Sequence, residues 1–486
     1  MARRGGDRVA LPAVMRPQLA LAVSVLALAA CGPSLPTTDA PPPFPPIIGS
    51  GGGLAGSGGA GGAAGGVAAG GGAGGGAAGA GGGSTATAQV VSSVVIDPAG
   101  VSIQRPDNID LKQDALGTLH LAYASGGHPR YGRCSFDCTK PTSWRYFTLT
   151  TEEADWHLQM GVSRDGTIYL AWEDTSYTGI TRIRFAQCIA GCMAADGWQV
   201  FTLASDYTAF LESDRDLVVD DTGRVHLIAQ PGLQRRYFTC DGNCALASSW
   251  SSIQLNDFSC EHSSLATGSG IVGVACVRQG AVKIYECFAD DCTASGSWNV
   301  VAVSSNALPF SQISLSYDGA RPRLAWFDNG NAPNIWTCTG ACAASSDWSG
   351  VRFASAQDTT SIGGLHLTVA ETGDTYLTTA VDGSVQVRRC SAAAGSSCWV
   401  PGSAWQSVGT VETAQQAAST LATPVPVCTG TEQGFSQLWD RDEPVLVPVD
   451  GAAFVLTRTS DFAGCSPDQP TYRQTRHRVH LSMLPF

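Results

Sequence analysis

Lysine is almost missing from this 486-residue chain: Lys112, Lys140 and Lys283 are its full complement. Charged residues of both signs make up only 14%, and the formal net charge is −12. Nucleic-acid binding relies on clustered cations that displace phosphate counterions, so no nucleic-acid partner is expected. Histidine is also scarce, at eight residues, and does not recur beside the cysteines at ligand spacing. A zinc site needs about four converging ligands, so no metal is expected. The chain has no Gly-x-Ser-x-Gly elbow, no P-loop, no His-Glu-x-x-His pair and no Cys-x-x-Cys-His. Serine-hydrolase, nucleotide, zincin and haem readings therefore lack support, and no cofactor is expected. Convincing helical periodicity is absent as well, which turns attention to strands.

What is abundant is unevenly placed. Glycine reaches 57 residues, and its excess lies between Gly49 and Ser84. Before that segment, Arg3, Arg4, Arg8 and Arg16 precede the apolar run "LALAVSVLALAA", which ends in "LAAC" at Cys31. A basic n-region, an apolar h-region and a small residue before a cysteine resemble the bacterial lipoprotein signal. The run falls short of the ~20 residues of a spanning helix. Met15 opens a complete n-region and h-region of its own. The resemblance implies a signal peptide at 1–30, lipidation of Cys31 and a membrane partner reached through that lipid. It implies a location on the bacterial cell envelope, at the outer membrane, facing the periplasm or the cell surface. Residues 31–87 then form a linker. "PPPFPPII" is stiff, and the Gly/Ala-rich stretch is flexible coil with too little apolar area to fold.

From residue 88 to 486 the chain repeats with a period near 50. Cysteine pairs recur at Cys134/Cys138, Cys188/Cys192, Cys240/Cys244, Cys287/Cys292, Cys338/Cys342 and Cys390/Cys398. Trp144, Trp198, Trp250, Trp298 and Trp348 each follow the second cysteine by six residues, and Trp405 follows by seven. Upstream, "DALGTLHLAY", "SRDGTIYLAW" and "DDTGRVHLIA" each place a glycine turn before alternating apolar residues. Each unit reads as four short antiparallel strands, with the tryptophan leading the last. Such a repeat predicts an all-β fold, a β-propeller of about seven four-stranded blades, with six the alternative. The seventh unit is divergent and spans about 413–486. "TAQVVSSVVI" near the N-terminus is expected to pair with it and close the ring, because an open propeller leaves an unpaired edge.

With Cys31 set aside, sixteen of the seventeen cysteines remain. An even number in a chain bound for an oxidising compartment predicts disulfides. Six are the local pairs. Cys260 and Cys276 flank a hairpin centred on Gly268 and are expected opposite each other across its strands; Cys428 and Cys465 remain for the last blade. Each local bridge pins the turn between the third and outermost strands, and the tryptophan packs on the adjoining blade.

The innermost strands converge on the channel mouth. Alignment on the turn glycines gives one column seven residues upstream: Asp110, Gln159, Asp216, Ser263, Gln312 and His366. Two residues earlier stand Asn108, His157, Asp214, Glu261, Phe310 and Gly364. A polar, acidic ring suits a cation, a sugar or a cationic peptide, and clustered carboxylates shift one another's pKa values. The competing reading is a channel lined by polar groups with no ligand. A mid-strand column of His120, Tyr169 and His226 reads as blade packing.

The repeat units resemble the sialidase-like, BNR-type propellers in architecture and turn chemistry. The Asp-box analogue "VSRDGTIYLAW" lies before the second strand instead of between the third and fourth. The three arginines that clamp a sialic-acid carboxylate have no counterpart in the inner columns, so no catalytic residue transfers. Two functions remain: a lipid-anchored binding module for a carbohydrate or a protein partner, or an exo-acting glycoside hydrolase using Asp110, Asp214, Asp216 and Glu261. The first is favoured. The sequence leaves the oligomeric state open.

Overall fold

The residues that open each repeat also fold its first hairpin. In Asp114–Gly117 and Asp220–Gly223 the glycine N–H donates to the aspartate carbonyl, at 3.0 Å in both, closing a β-turn. Gly117 (φ 80°) and Gly223 (φ 88°) then adopt the left-handed conformation that glycine enters without a Cβ clash. The Asp114 carboxylate also accepts from Leu116 N and Thr118 N, and Asp220 from Thr222 N and Arg224 N, so the turn is held before the strands pack.

The computed structural model describes residues 89–91, 94–96 and 109–485, less 126, 151–155, 176–179, 207–216, 230–234, 256–259, 310, 354–361, 382–383, 402–403, 414–433, 439–443 and 464–472. The signal and linker segments, and with them Cys31, lie outside the described residues, as do Asn108, Asp214, Asp216, Cys428 and Cys465.

Strands β1 (Gln89–Val91) and β2 (Val94–Val95) precede the repeats. Blade 1 is β3 (Ile109–Gln113), β4 (Leu119–Ser125), β5 (His128–Cys134) and β6 (Arg145–Thr148). Blade 2 is β7 (Trp156–Val162), β8 (Ile168–Thr175), β9 (Thr181–Cys188) and β10 (Trp198–Asp206). Blade 3 is β11 (Leu217–Val219), β12 (Val225–Ala229), β13 (Arg236–Cys240) and β14 (Trp250–Gln254). Blade 4 is β15 (His262–Gly268), β16 (Ile271–Arg278), β17 (Ala281–Cys287) and β18 (Trp298–Ser304). Blade 5 is β19 (Ile313–Asp318), β20 (Arg321–Phe327), β21 (Pro333–Cys338) and β22 (Trp348–Arg352). Blade 6 is β23 (Ile362–Val369), β24 (Thr375–Val381), β25 (Ser384–Cys390) and β26 (Gln406–Thr413). Blade 7 is built from β27 (Gly434–Leu438), β28 (Val445–Val449), β29 (Ala452–Ala463) and β30 (Arg473–Pro485). Among the described residues the only helices are 3-10 segments: three-residue turns that lead into Trp144, Trp198, Trp250 and Trp348, and the longer Ala392–Trp399 in blade 6.

Seven sheets, each antiparallel within the blade, carry their strands in chain order. Innermost strands neighbour one another around a closed circuit: β3, β7, β11, β15, β19, β23, β28 and back to β3. Seven apolar clusters fill the seven junctions, one between each pair of adjacent blades. The fold is a seven-bladed β-propeller. Each blade buries its two faces against its neighbours, so the core is a ring of interfaces and no blade can bury its surface alone.

Closure differs in detail from the expected pairing. β2 does supply the outermost strand of blade 7, antiparallel to β30. β1, however, pairs parallel with β26 on the outer edge of blade 6. The N-terminal segment thus spans two blades. In blade 7, β27 and β28 pair with successive stretches of the same edge of β29, so the innermost strand is interrupted.

The six local cysteine pairs are all disulfides: Cys134–Cys138, Cys188–Cys192, Cys240–Cys244, Cys287–Cys292, Cys338–Cys342 and Cys390–Cys398. With Cys260–Cys276 they make seven, at Cα separations of 5.4 to 5.9 Å that suit an unforced bridge. In each local pair the first cysteine ends the third strand, and its partner lies in the connection to the fourth. Closing a five-residue loop restricts the unfolded chain by about 2 kcal/mol in the chain-entropy model. Two loops depart from that length, Cys287–Cys292 at a separation of 5 and Cys390–Cys398 at 8. In blade 6 the extra residues wind into a 3-10 segment, Ala392–Trp399, that contains Cys398 itself. The Cys260–Cys276 hairpin is shifted from the expected one. Its turn is Ser269–Gly270, and the register partner of Cys276 is Ser263, so Cys260 reaches across from just before β15.

The tryptophans have two tasks. Trp144, Trp198, Trp250, Trp298 and Trp405 donate their indole N–H to the carbonyls of Cys138, Cys192, Cys244, Cys292 and Cys398 respectively, at 2.8 to 3.1 Å. Three of these rings also meet the preceding blade edge-on: Trp198 on Tyr131, Trp250 on Phe185 and Trp298 on Tyr237, with centroids 4.6 to 5.4 Å apart. The fixed cysteine–tryptophan spacing follows from this geometry, because the same hydrogen bond and the same ring contact must form in successive blades. Blade 5 departs from it: Cys342 sits at φ 59°, and the Trp348 N–H makes no hydrogen bond.

Candidate functional site

An innermost strand has a strand neighbour on one edge only, so half of its backbone amides look for acceptors elsewhere. The polar column supplies them, across the junction. Asp110 Oδ2 accepts from Met160 N of blade 2 at 3.1 Å, and its Oδ1 pairs with Lys112 Nζ at 3.2 Å. Ser264 Oγ accepts from Leu315 N of blade 5 and Ser314 Oγ from Leu367 N of blade 6, both at 3.0 Å. His366 Nδ1 accepts from Leu446 N of blade 7 at 2.8 Å. Its proton therefore sits on Nε2, which meets Thr368 Oγ1 at 2.8 Å. Gln312 Oε1 does the same one step along, taking Leu365 N at 3.2 Å.

The predicted residues divide accordingly. Asp110, Gln159, Gln312 and His366 are buried in blades 1, 2, 5 and 6. Of these, Asp110, Gln312 and His366 bind the next blade's backbone. Glu261 lies just before β15, half-buried, with Oε1 accepting from Gln279 N at 3.1 Å across its own hairpin. His157 lies in β7, and its side chain is not among the described ones. Asp110 and Glu261, the described carboxylates of the set, belong to blades 1 and 4 with two blades between them. Ser264 and Ser314 escaped the glycine alignment, which selected Ser263 and Gln312. Strand register puts Ser264 opposite Ala275 and Ser314 opposite Ala325, equivalent to Asp110 opposite Ala122. The cause is turn length. Blades 1, 2, 3 and 6 use a five-residue connection, whereas Gly268–Ile271 and Asp318–Arg321 close over two residues.

The cysteines stand apart from this column. Cys138, Cys192, Cys244, Cys292, Cys342 and Cys398 sit between the third and fourth strands, on the outer half of each blade. With their sulfurs bridged they offer no thiolate as nucleophile or ligand. Their part is to fix the loops.

The mid-strand column forms a second set of buried groups. In blade 1, His120 Nε2 meets Asp114 Oδ2 at 3.1 Å and Nδ1 meets Tyr131 Oη at 2.7 Å. Blade 3 repeats it with His226, Asp220 and Tyr237 at 3.2 and 2.6 Å. A carboxylate can only accept, so Nε2 donates and Nδ1 receives the tyrosine O–H. The relay ties the turn to the third strand. Other blades use the same position differently. Tyr317 Oη donates to Glu286 at 2.9 Å, over Gly273, where a Cβ would stand 2.0 Å from that oxygen. Arg323 takes the position in blade 5 and pairs with Asp318; in blade 6 it is Tyr376, whose register neighbour Arg389 pairs with Asp374. The column is blade packing, as its sequence suggests.

These relays make stability acid-sensitive. Burial lowers the pKa of His120 below the usual 6.5, against the opposing pull of Asp114. For Asp114 and Asp220 burial acts upward, but hydrogen bonds from the imidazole and the turn N–H groups outweigh it and bring both below 3.8. Burial pushes the Tyr131 and Tyr237 phenols well above their usual range, so both stay un-ionised. For all three lowered groups the unfolded chain binds the proton first, so stability is full above the unfolded pKa and falls as pH drops. Urea midpoints are expected to decline in two stages, beginning near pH 6.5 for His120 and near 3.8 for the aspartates. His120→Gln should flatten the first stage; an unchanged slope between pH 7 and 5 would show that His120 carries no linked proton.

No protein-family model matches the chain, and no curated protein does. Among solved structures, AofleA from Arthrobotrys oligospora is similar at 9% identity and a TM-score of 0.38, over 63% of this chain and 89% of that one. An α-L-arabinanase from Penicillium chrysogenum, complexed with arabinobiose, is similar at 9% identity and a TM-score of 0.41, over 82% and 98%. An α-L-arabinofuranosidase from Fusarium graminearum reaches 10% identity and 0.41, over 60% and 93%.

Proposed function

We propose that this chain is a lipid-anchored, extracytoplasmic propeller that works as a binding module for a glycan or a protein, not as a hydrolase. Seven disulfides in one chain indicate an oxidising, extracytoplasmic compartment. The lipid on Cys31 is the anchor this reading adds. What carries the choice of binding over hydrolysis is the engagement of the inner polar column. A glycosidase needs two carboxyl groups about 5–5.5 Å apart for retention or about 6.5–9.5 Å for inversion. The described candidates, Asp110 and Glu261, stand in blades separated by two others, and each already accepts a backbone amide.

The test is a glycan-array and metal-ion binding screen on the full chain, run beside turnover of aryl glycosides. Ligand capture without hydrolysis supports the module. Hydrolysis abolished by Asp110→Asn or Glu261→Gln would replace it with an enzyme. Cys31→Ala should release the chain from the membrane fraction; retention after that change would remove the anchor.

A further inference from the structure

Connections from first to second strand and from third to fourth strand emerge on the same face of a four-stranded blade. On that face the disulfide loops hold large apolar side chains out in solvent: Phe136 (84% exposed), Ile189 (70%) and Phe288 (54%) inside the loops of blades 1, 2 and 4, and Leu246 (53%) just after that of blade 3. The four blades are consecutive, so the tips trace an arc. The fold does not require them. Blade 5 builds a loop with the same Cys338–Cys342 bridge from Thr339, Gly340 and Ala341. Nor are the tips loose, since each loop is closed by its disulfide and by the indole hydrogen bond to the second cysteine. Rigid apolar groups held outward lose little freedom when a partner covers them.

Acidic groups outnumber cations beside the tips: Asp165 and Asp221 are exposed in the neighbouring turns of blades 2 and 3, against exposed Arg133, Arg145 and Arg164. Asp196, Asp241, Asp290 and Asp291 are exposed in these loops. Two of the cations there are already engaged: Lys140 is paired with Asp137, and the Arg224 side chain that reaches across is held by Asp241 and the Asp290 carbonyl. The acidic excess favours a cationic partner over an anionic lipid surface or a phosphate. We infer that this arc docks a basic polypeptide partner, one presenting apolar side chains flanked by lysine or arginine. The inference rests on the binding-module reading and names the class of partner for it. Apolar tips supply the anchors, and the carboxylates supply attraction and orientation.

The probe is an 18-residue Leu/Lys amphipathic peptide titrated into the full chain. The comparisons are the triple variant Phe136→Ser/Ile189→Ser/Phe288→Ser and the control Val300→Ser/Met483→Ser, whose apolar groups are exposed on β18 and β30. The expected result is binding that weakens about tenfold or more in the triple variant, is unchanged in the control, and weakens with added salt. Phosphatidylcholine and phosphatidylglycerol vesicles should not bind. Equal affinity of the triple variant, an equal loss in the control, no peptide binding, or vesicle binding through the same tips would each overturn the proposal. A glycan captured equally by wild type and triple variant, without peptide binding, would sink this docking surface while leaving the binding module in place.

Discussion

A chain that begins at residue 97 is expected to lose cooperative unfolding, or to melt far below one that begins at residue 82. Residues before 97 complete two blades. β2 is the fourth strand of blade 7, and β1 covers the outer edge of blade 6. Ile96, fully buried, lies in the junction between blades 7 and 1 with Leu111, Val447 and Leu481. Its N–H donates to Val479 O at 3.1 Å, and Tyr146 Oη donates to its carbonyl. Loss of a buried isoleucine alone costs about 2–5 kcal/mol, and the bared edge of β30 invites pairing between copies. Thermal melts with size-exclusion chromatography read both effects. Matching melts of the two chains, both monomeric, would mean that the ring closes without its N-terminal strands.

Trp326→Ala is expected to destabilise by about 3–5 kcal/mol, and Trp326→Phe by much less. Trp326 is fully buried between blades 4 and 5, and its ring lies 5.4 Å from that of Trp336. Its indole N–H has no hydrogen-bond partner, so the wild type already leaves a buried donor unsatisfied. Alanine opens a cavity that the two rigid sheets cannot collapse to fill. Phenylalanine keeps most of the volume and removes the orphaned donor, offsetting part of the lost contact. Denaturant midpoints of the three proteins decide the matter. Equal losses for Ala and Phe would mean that the indole makes a specific interaction absent from this geometry.

How far the sequence could be read depended on how tightly chemistry fixes spacing. The cysteine–tryptophan repeat was legible because a bridge, an indole hydrogen bond and a ring contact permit few register changes. Even the longer Cys390–Cys398 loop keeps the indole bond, with Trp405 one residue further on. The glycine turns were legible for a similar reason, since a left-handed residue marks one position of one turn. That anchor slipped in blades 4 and 5, where a two-residue turn replaces a five-residue one and moves Ser264 and Ser314 into the column. β1 and β2 carry two or three residues each, too few to show which blade they join. The task of the inner column was not legible at all. Asp110 and His366 are identical in sequence terms whether they face a ligand or a neighbour's amide; only the offset between adjacent innermost strands separates the two.

That column is the centre of this account, and hydrogen exchange tests it most directly. The amides of Met160, Leu315, Leu367 and Leu446 lie on edges without a strand partner, so their protection must come from the side chains across the junction. Their exchange should be as slow as that of amides inside the ladders. Asp110→Ala should release Met160 while Leu367 stays protected. Fast exchange at all four in the wild type, or an unchanged Met160 in the variant, would mean that the polar ring faces the channel and is free to bind a ligand.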